Sequence, residues 1–303
     1  MCFSRILVSA FCKINGKIDT KRISKKTPFE KVEKVLDIPY VDDGNKYHLL
    51  DIYYPEGNTK KLPVIIDIHG GAWMYGTKDI NAHYCQGLAT KGFIVVNVSY
   101  RLIKAGEGGT FPNNIQDIFY AFNWVEKHIE EYNGDLNNVF LTGDSAGAHL
   151  ACMAQSILLS PTYIEEFKVA TKIKFNAIAL TCGVFDVEMY MKSKVFLFKY
   201  MLKQFMGKDY KNNEHMKLGT IRNNNLEEFP PLFLNTCYGD FMRKQVLDFY
   251  EECKKRNVTV ELKIIEEKQI NNISHVYSVL FPEYPESIAT TDALIDFFKK
   301  HIV

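Results

Sequence analysis

Gly143-Asp144-Ser145-Ala146-Gly147 is a G-x-S-x-G pentapeptide, and its flanks decide how it is read. Before it runs Asn138-Val139-Phe140-Leu141-Thr142, short, apolar and β-branched, which suits a buried strand. After it, the stretch from Ala146 to Ala154 is rich in good helix formers. The serine therefore sits where a strand turns sharply into a helix, the setting of a nucleophile elbow. A nucleophile on so tight a turn needs a strained backbone. A side chain at Gly143 or Gly147 would meet the neighbouring strand or helix. The helix start aims free N–H groups and a positive dipole end at any oxyanion formed there. An ordinary strand–turn–helix with Ser145 as N-cap is the reading the pentapeptide alone leaves open.

Outward from the pentapeptide, buried strands alternate with helices. Tyr47–Tyr54 reads as a strand ended by Pro55-Glu56-Gly57-Asn58, and Leu62–Ile68 is a continuous apolar run of the kind covered on both faces. A helical stretch around 79–91 precedes the strand Phe93–Val98. Between Pro112 and Tyr132, Ile115, Ile118, Phe119, Phe122, Val125 and Ile129 fall at offsets 0, 3, 4, 7, 10 and 14, one face of a helix. Further strands are expected at Phe175–Leu180, Leu232–Thr236 and Val258–Ile264, with helices over about 241–256 and at the end, where Ile288, Ile295, Phe298 and Ile302 share a side. This order predicts an α/β protein with a doubly wound, mostly parallel sheet, whose ligand site lies beyond the C-terminal strand ends.

The candidate site residues all follow strands. A serine hydroxyl needs a base to take its proton, and the base needs an acid to hold its tautomer. Of the later histidines, His149 is inside the helix after the serine, His215 precedes the strand expected to carry the acid, and His301 is third from the end. His275, after the last strand, is the expected base. Asp240 follows Leu232–Thr236 at a strand-to-helix turn and is the expected acid; an N-cap role is its alternative. Asp186, after the preceding strand, is the second candidate acid, whereas Glu266 and Glu267 read as solvated. His69-Gly70-Gly71-Ala72-Trp73 ends the strand Leu62–Ile68, and glycines there let backbone donors approach a tetrahedral oxyanion. His69 and Trp73 are expected to shape that loop, and no ligand set for a metal accompanies His69.

The 303 residues, 47% of them hydrophobic, suffice for one large core, and the net charge of +1 offers no footprint for nucleic acid. No apolar run approaches the roughly 20 residues of a membrane span. Seven scattered cysteines, without C-x-x-C or zinc spacing, suit a reducing compartment, hence a cytoplasmic location; Cys152, Cys182 and Cys237 read as buried small hydrophobes. Residues 1–34 hold nine Lys/Arg and three acids, and the apolar Ile6–Phe11 barely reaches the length of a signal-peptide h-region, with no A-x-A site after it. An N-terminal segment (1–44) folded over the active site is expected, a weak membrane-surface arm being the other reading.

His-Gly-Gly-Ala-Trp, Gly-Asp-Ser-Ala-Gly, Asp240 and His275, in that order, resemble the α/β-hydrolase superfamily, most closely its hormone-sensitive-lipase-like branch and the related bacterial feruloyl and acetyl esterases. Val98-Ser99-Tyr100-Arg101-Leu102 and Phe111-Pro112…Asp117 extend the resemblance over residues 45–303. It implies an α/β-hydrolase fold with a helical cap insertion near 184–229, whose Met and aromatic residues would cover an acyl or alcohol group. It implies a Ser145–Asp240–His275 triad, with oxyanion donors from Gly71, Ala72 and Ala146, acting on a small-molecule ester of short acyl chain without metal or cofactor. A homodimer is compatible with it. Ala72 stands where many members carry a third glycine, adding a methyl group but keeping the N–H. The H-G-G-x-W form also resembles kynurenine formamidases, so a formamide substrate is the alternative.

Overall fold

Eight strands form one sheet in the computed structural model, which describes residues 3–27, 29–103, 108–192, 196–207, 209–266 and 273–303. They are β1 (Val32–Pro39), β2 (Leu49–Pro55), β3 (Leu62–Ile68), β4 (Ile94–Val98), β5 (Gly134–Asp144), β6 (Phe175–Thr181), β7 (Leu232–Cys237) and β8 (Val260–Ile265). The spatial order is β1-β2-β4-β3-β5-β6-β7-β8. β1 and β2 pair antiparallel with their neighbours, and all pairings from β4 to β8 are parallel. The crossover between β4 and β3 reverses the strand order beside β5, so the C-terminal ends of β3 and β5 open on one crevice.

Helices cover both faces: α1 (Phe3–Ile23), α2 (Ala82–Ala89), α3 (Asn113–His128), α4 (Ala146–Leu158), α5 (Pro161–Phe167), α6 (Glu188–Lys192), α7 (Phe196–Met206), α8 (Met216–Gly219), α9 (Arg243–Lys255), α10 (Tyr277–Leu280) and α11 (Pro285–Lys299). Successive strand residues point to opposite faces, and both faces of β3 are covered, which is why it is apolar throughout except at the buried Asp67. Its Val64, Ile66 and Ile68 join the core under α3, α4 and α9, while Ile65 joins the core under α2 and α11. All six apolar residues expected on one helix face are buried, five of them in α3 and Ile129 in the turn that follows it.

Three expectations change. Residues 32–39, assigned from sequence to an N-terminal segment, form the antiparallel edge strand β1. The helix expected through Tyr132 ends at His128 and tightens into a 3-10 turn over Ile129–Tyr132, closed by Asn133 in the left-handed conformation. In α11, Ile288 is exposed, and Ile302 lies past the helix end and is exposed too. The packed side instead runs through Ser287, Thr290, Thr291, Leu294, Ile295, Phe297 and Phe298, three of the seven being small polar residues that apolar spacing does not reveal.

Helix α1 lies against the loops at the crevice. The Cys12 thiol points to the Met74 carbonyl (3.6 Å), the Tyr75 hydroxyl donates to Asp19 (2.5 Å), and Arg22 donates to the carbonyls of Ile80 and Leu280 (both 3.1 Å). Among the described residues, no helix is long and apolar enough to cross a membrane.

Candidate active site

Strand β5 runs straight into α4 through Ser145, whose backbone sits at φ 52°, ψ −114°, outside the regions open to ordinary residues. The turn holds because the chain packs too tightly to relax. A Cβ on Gly147 would lie 2.0 Å from the Ile68 carbonyl of β3, so only glycine lets α4 approach the sheet there. The Ser145 N–H donates to the Thr181 carbonyl at 2.8 Å, fixing the elbow to β6.

The elbow presents its hydroxyl to His275: Ser145 Oγ and His275 Nε2 are 2.8 Å apart. On the other side of the ring, Nδ1 faces Asp240 Oδ1 at 2.6 Å. With Nδ1–H donating to the carboxylate, Nε2 is left as the acceptor for the serine proton. Asp240 is buried and also accepts from Thr236 Oγ1 (2.7 Å) and the Met242 N–H (2.9 Å). Burial alone would raise its pKa; the hydrogen bond and charge of His275, with the Thr236 and Met242 donors, outweigh that and hold the carboxyl below its ordinary range.

Two cysteine thiols anchor the histidine loop from either side. The Val276 N–H donates to Cys182 Sγ at 3.3 Å, and Cys237 Sγ donates to the Ser274 carbonyl at 3.2 Å. Both cysteines are buried, as expected, but their part in holding His275 depends on long-range packing and has no local sequence signal. The Phe241 ring lies over His275 with centroids 4.2 Å apart.

The loop after β3 is strained too. Gly71 has φ +109°, with its Cβ direction blocked by the Tyr75 carbonyl 2.0 Å away, and Ala72 and Trp73 adopt φ of 54° and 59°. Among the described residues, the N–H groups of Gly71 and Ala72 have no protein acceptor, and Ala146 opens α4 with its N–H outside the helical ladder. His69 is buried, stacked on Tyr100 at 4.4 Å and bonded from Nδ1 to the Gly70 carbonyl at 2.6 Å; burial pushes its pKa down to about 4, so it is neutral.

Asp144 inside the pentapeptide ties this loop to the elbow. Its Oδ1 accepts from the Gly70 N–H (2.9 Å) and from Asn81 Nδ2 (2.8 Å), and Asn81 Nδ2 also reaches Asp67 Oδ2 at 2.9 Å. Two buried carboxyls thus share one amide behind the serine. Burial raises the pKa of both, and the neighbouring Asp144 charge adds to the effect on Asp67, which is pushed up to about 7. Asp144 stands in the quoted motif and could have been singled out; Asp67 and Asn81 carry no motif.

The other candidates are engaged elsewhere. Asp186 pairs with Arg222 (2.8 Å) and caps the Met189 N–H (3.1 Å). His149 is buried against Trp73 and bonds the Gly219 carbonyl at 2.8 Å. His215 faces Glu166 (2.6 Å), and His301 faces the Phe297 carbonyl (2.8 Å). Glu266 pairs with Arg243 (2.6 Å), and Glu267 lies outside the described residues. Among the described residues, two groups bring three metal-type ligand atoms together, Cys182 with Asp240 and His275, and the more exposed Glu166, Glu214 and His215. The first is already committed to the hydrogen bonds above.

Beside Ser145 opens a cavity of about 120 Å³ lined by Ala72, Trp73, Met74, Val184, Tyr190, Phe198, Met201, Phe241 and Met242. Apart from the serine its walls are apolar. Phe198 stacks on Tyr190 at 4.9 Å, while the side chain of Phe196 lies outside the described residues.

The BD-FAE family model matches residues 50–234, more than half of the chain. The chain belongs to the BD-FAE family. Crystal structures of Esterase B from Lactobacillus rhamnosis, one of them inhibited by a tributyrin phosphonate, share the fold of this BD-FAE chain. One superimposes with a TM-score of 0.90 at 27% identity, over 98% of this chain and 96% of that one. The fold is thus the α/β-hydrolase fold. A probable carboxylic ester hydrolase, LipM of Mycobacterium tuberculosis, is 37% identical over 153 residues, covering 50% of this chain and 34% of LipM. Kynurenine formamidase of Danio rerio is 29% identical over 164 residues, covering 54% and 50%. The chain thus spans only a third to a half of the length of these curated relatives.

Proposed function

We propose that this protein is a serine carboxylesterase acting on short-acyl esters through an acyl-enzyme. The observation that carries the reading is the unbroken line of polar contacts from Asp240 through His275 to Ser145, on a strained elbow that faces an apolar cavity. In this mechanism His275 Nε2 takes the serine proton as Oγ attacks the acyl carbon. Asp240 holds the ring and stabilises the imidazolium. The Gly71, Ala72 and Ala146 N–H groups receive the oxyanion. Collapse expels the alcohol, which takes the proton from His275, and water activated by the same nitrogen releases the acid.

The segment 184–229 serves as the cap, supplying Val184, Tyr190, Phe198 and Met201 to the acyl cavity. A cavity this small suits about two to six acyl carbons, with each buried CH₂ adding roughly 0.8 kcal/mol until the wall is met. Free thiols at the described cysteines Cys12, Cys85, Cys152, Cys182, Cys237 and Cys253 support a cytoplasmic setting.

The test is kcat/KM over p-nitrophenyl esters of increasing acyl length, with N-formylkynurenine alongside. The proposal expects an optimum within two to six carbons. Faster turnover of the formamide would favour the amidase reading instead, and best activity on emulsified long-chain triglyceride would refute the esterase reading in favour of a lipase.

A further inference from the structure

The outer face of α1 combines exposed isoleucines with lysines and carries no acid. Ile14 and Ile18, one turn apart, are each 58% exposed. Lys13, Lys17 and Lys21 are exposed beside them, and Lys25 follows the helix. The one acid of α1, Asp19, is on the opposite side, bound to Arg22 and Tyr75. Cys12 and Arg22 also point inward, to Met74, Ile80 and Leu280, so the core-facing side of the helix is accounted for.

We propose that this face docks on an anionic lipid bilayer, the isoleucines entering the headgroup boundary while the lysine stems reach up to lipid phosphates and carboxylates. Charge selects this occupant. A second copy of the chain would set Lys13, Lys17 and Lys21 against their own equivalents, whereas an anionic surface is complementary to every charge on the stripe. Anionic lipid is abundant on the cytoplasmic leaflet, which agrees with the free thiols. Because α1 is bonded to Met74 and Tyr75, docking would seat the loop bordering the cavity beside the bilayer.

The test uses the full chain and vesicles of phosphatidylcholine with 30% phosphatidylserine, against phosphatidylcholine alone, read by co-sedimentation. Binding is expected to the anionic vesicles only and to weaken as salt is raised. The Lys13→Gln/Lys17→Gln/Lys21→Gln variant should lose about fivefold in partitioning per lysine, on the order of a hundredfold in all. Ile14→Ser/Ile18→Ser should also release the protein. Both variants change solvent-facing side chains, so circular dichroism and turnover of a water-soluble ester should match the parent. The binding readout uses no ester chemistry, so it stands or falls separately from the esterase reading. Equal sedimentation with neutral vesicles, no sedimentation with either, or binding unchanged in both variants would overturn the proposal. So would a parent dimer that the variants break into monomers without any vesicle binding.

Discussion

Asp240→Asn changes one atom and should cost about four orders of magnitude in kcat. Asp240 accepts three hydrogen bonds, from His275 Nδ1, Thr236 Oγ1 and the Met242 N–H. A carboxylate has lone pairs for all three; a carboxamide has one oxygen and an NH₂ that can only donate. His275 Nδ1 and the Met242 N–H share Oδ1, while Thr236 Oγ1 donates to Oδ2. If the oxygen stays with Thr236, the NH₂ faces both His275 Nδ1 and the buried Met242 donor, and it forces the imidazole proton to Nε2, where the serine needs an acceptor. If the oxygen takes the Oδ1 place, it still accepts from His275 and Met242, the NH₂ turns to Thr236 Oγ1, and the cost is that of the missing charge. Loss of the charge also leaves the imidazolium unpaired. The expected ~10⁴ loss corresponds to about 5 kcal/mol of transition-state stabilisation. The assay is kcat on p-nitrophenyl butyrate, with urea unfolding to show that the variant is folded. Asp186→Asn, which loosens only the Arg222 pair and the Met189 cap, should retain activity within a few-fold. Retention of a tenth of parent activity by Asp240→Asn, or a larger loss in Asp186→Asn, would refute the assignment.

Other perturbations read other parts of the site. Phe198→Ala removes a cavity wall and should move the optimum to longer acyl chains, gaining roughly fourfold in kcat/KM per added CH₂ that finds room; an unchanged chain-length profile would exclude Phe198 from the acyl pocket. Asp67 has a folded pKa of about 7, above its ordinary 3.8, so the folded state holds the proton more tightly than the unfolded chain. That contribution is complete below pH 4 and is lost as pH rises towards 7, at up to about 1.4 kcal/mol per unit. Asp67→Asn keeps the shape without the titration, so the parent should lose stability relative to it between pH 4.5 and 7 in urea unfolding. Parallel curves would contradict the raised pKa.

The parts of this fold that were legible in the sequence are those governed by local pattern. β3 reads as a strand because its residues alternate between two cores and, Asp67 apart, are apolar, and α3 reads as a helix because its apolar residues Ile115, Ile118, Phe119, Phe122 and Val125 repeat on one face. Ser145, His275 and Asp240 could be picked out because each follows a strand, and they meet within hydrogen-bond distance. The strand β1 escaped because it is an edge strand with five exposed positions and no continuous apolar run. The anchors of the site escaped for a different reason. Cys182 and Cys237 grip the residues flanking His275, and Asn81 joins Asp67 to Asp144, across separations in the chain that no local spacing encodes.

The central claim, that Ser145 is the nucleophile of an ester hydrolase, is tested most directly by intact-mass and peptide mass spectrometry after reaction with a short-chain p-nitrophenyl phosphonate. The account predicts one phosphonyl group per chain, on Ser145, formed in step with loss of esterase activity and with release of one p-nitrophenolate. Ser145→Ala should take up none and should lose turnover by up to about a million-fold while remaining folded. A label on another residue, or a Ser145→Ala protein that still hydrolyses p-nitrophenyl butyrate at a tenth of the parent rate, would contradict it.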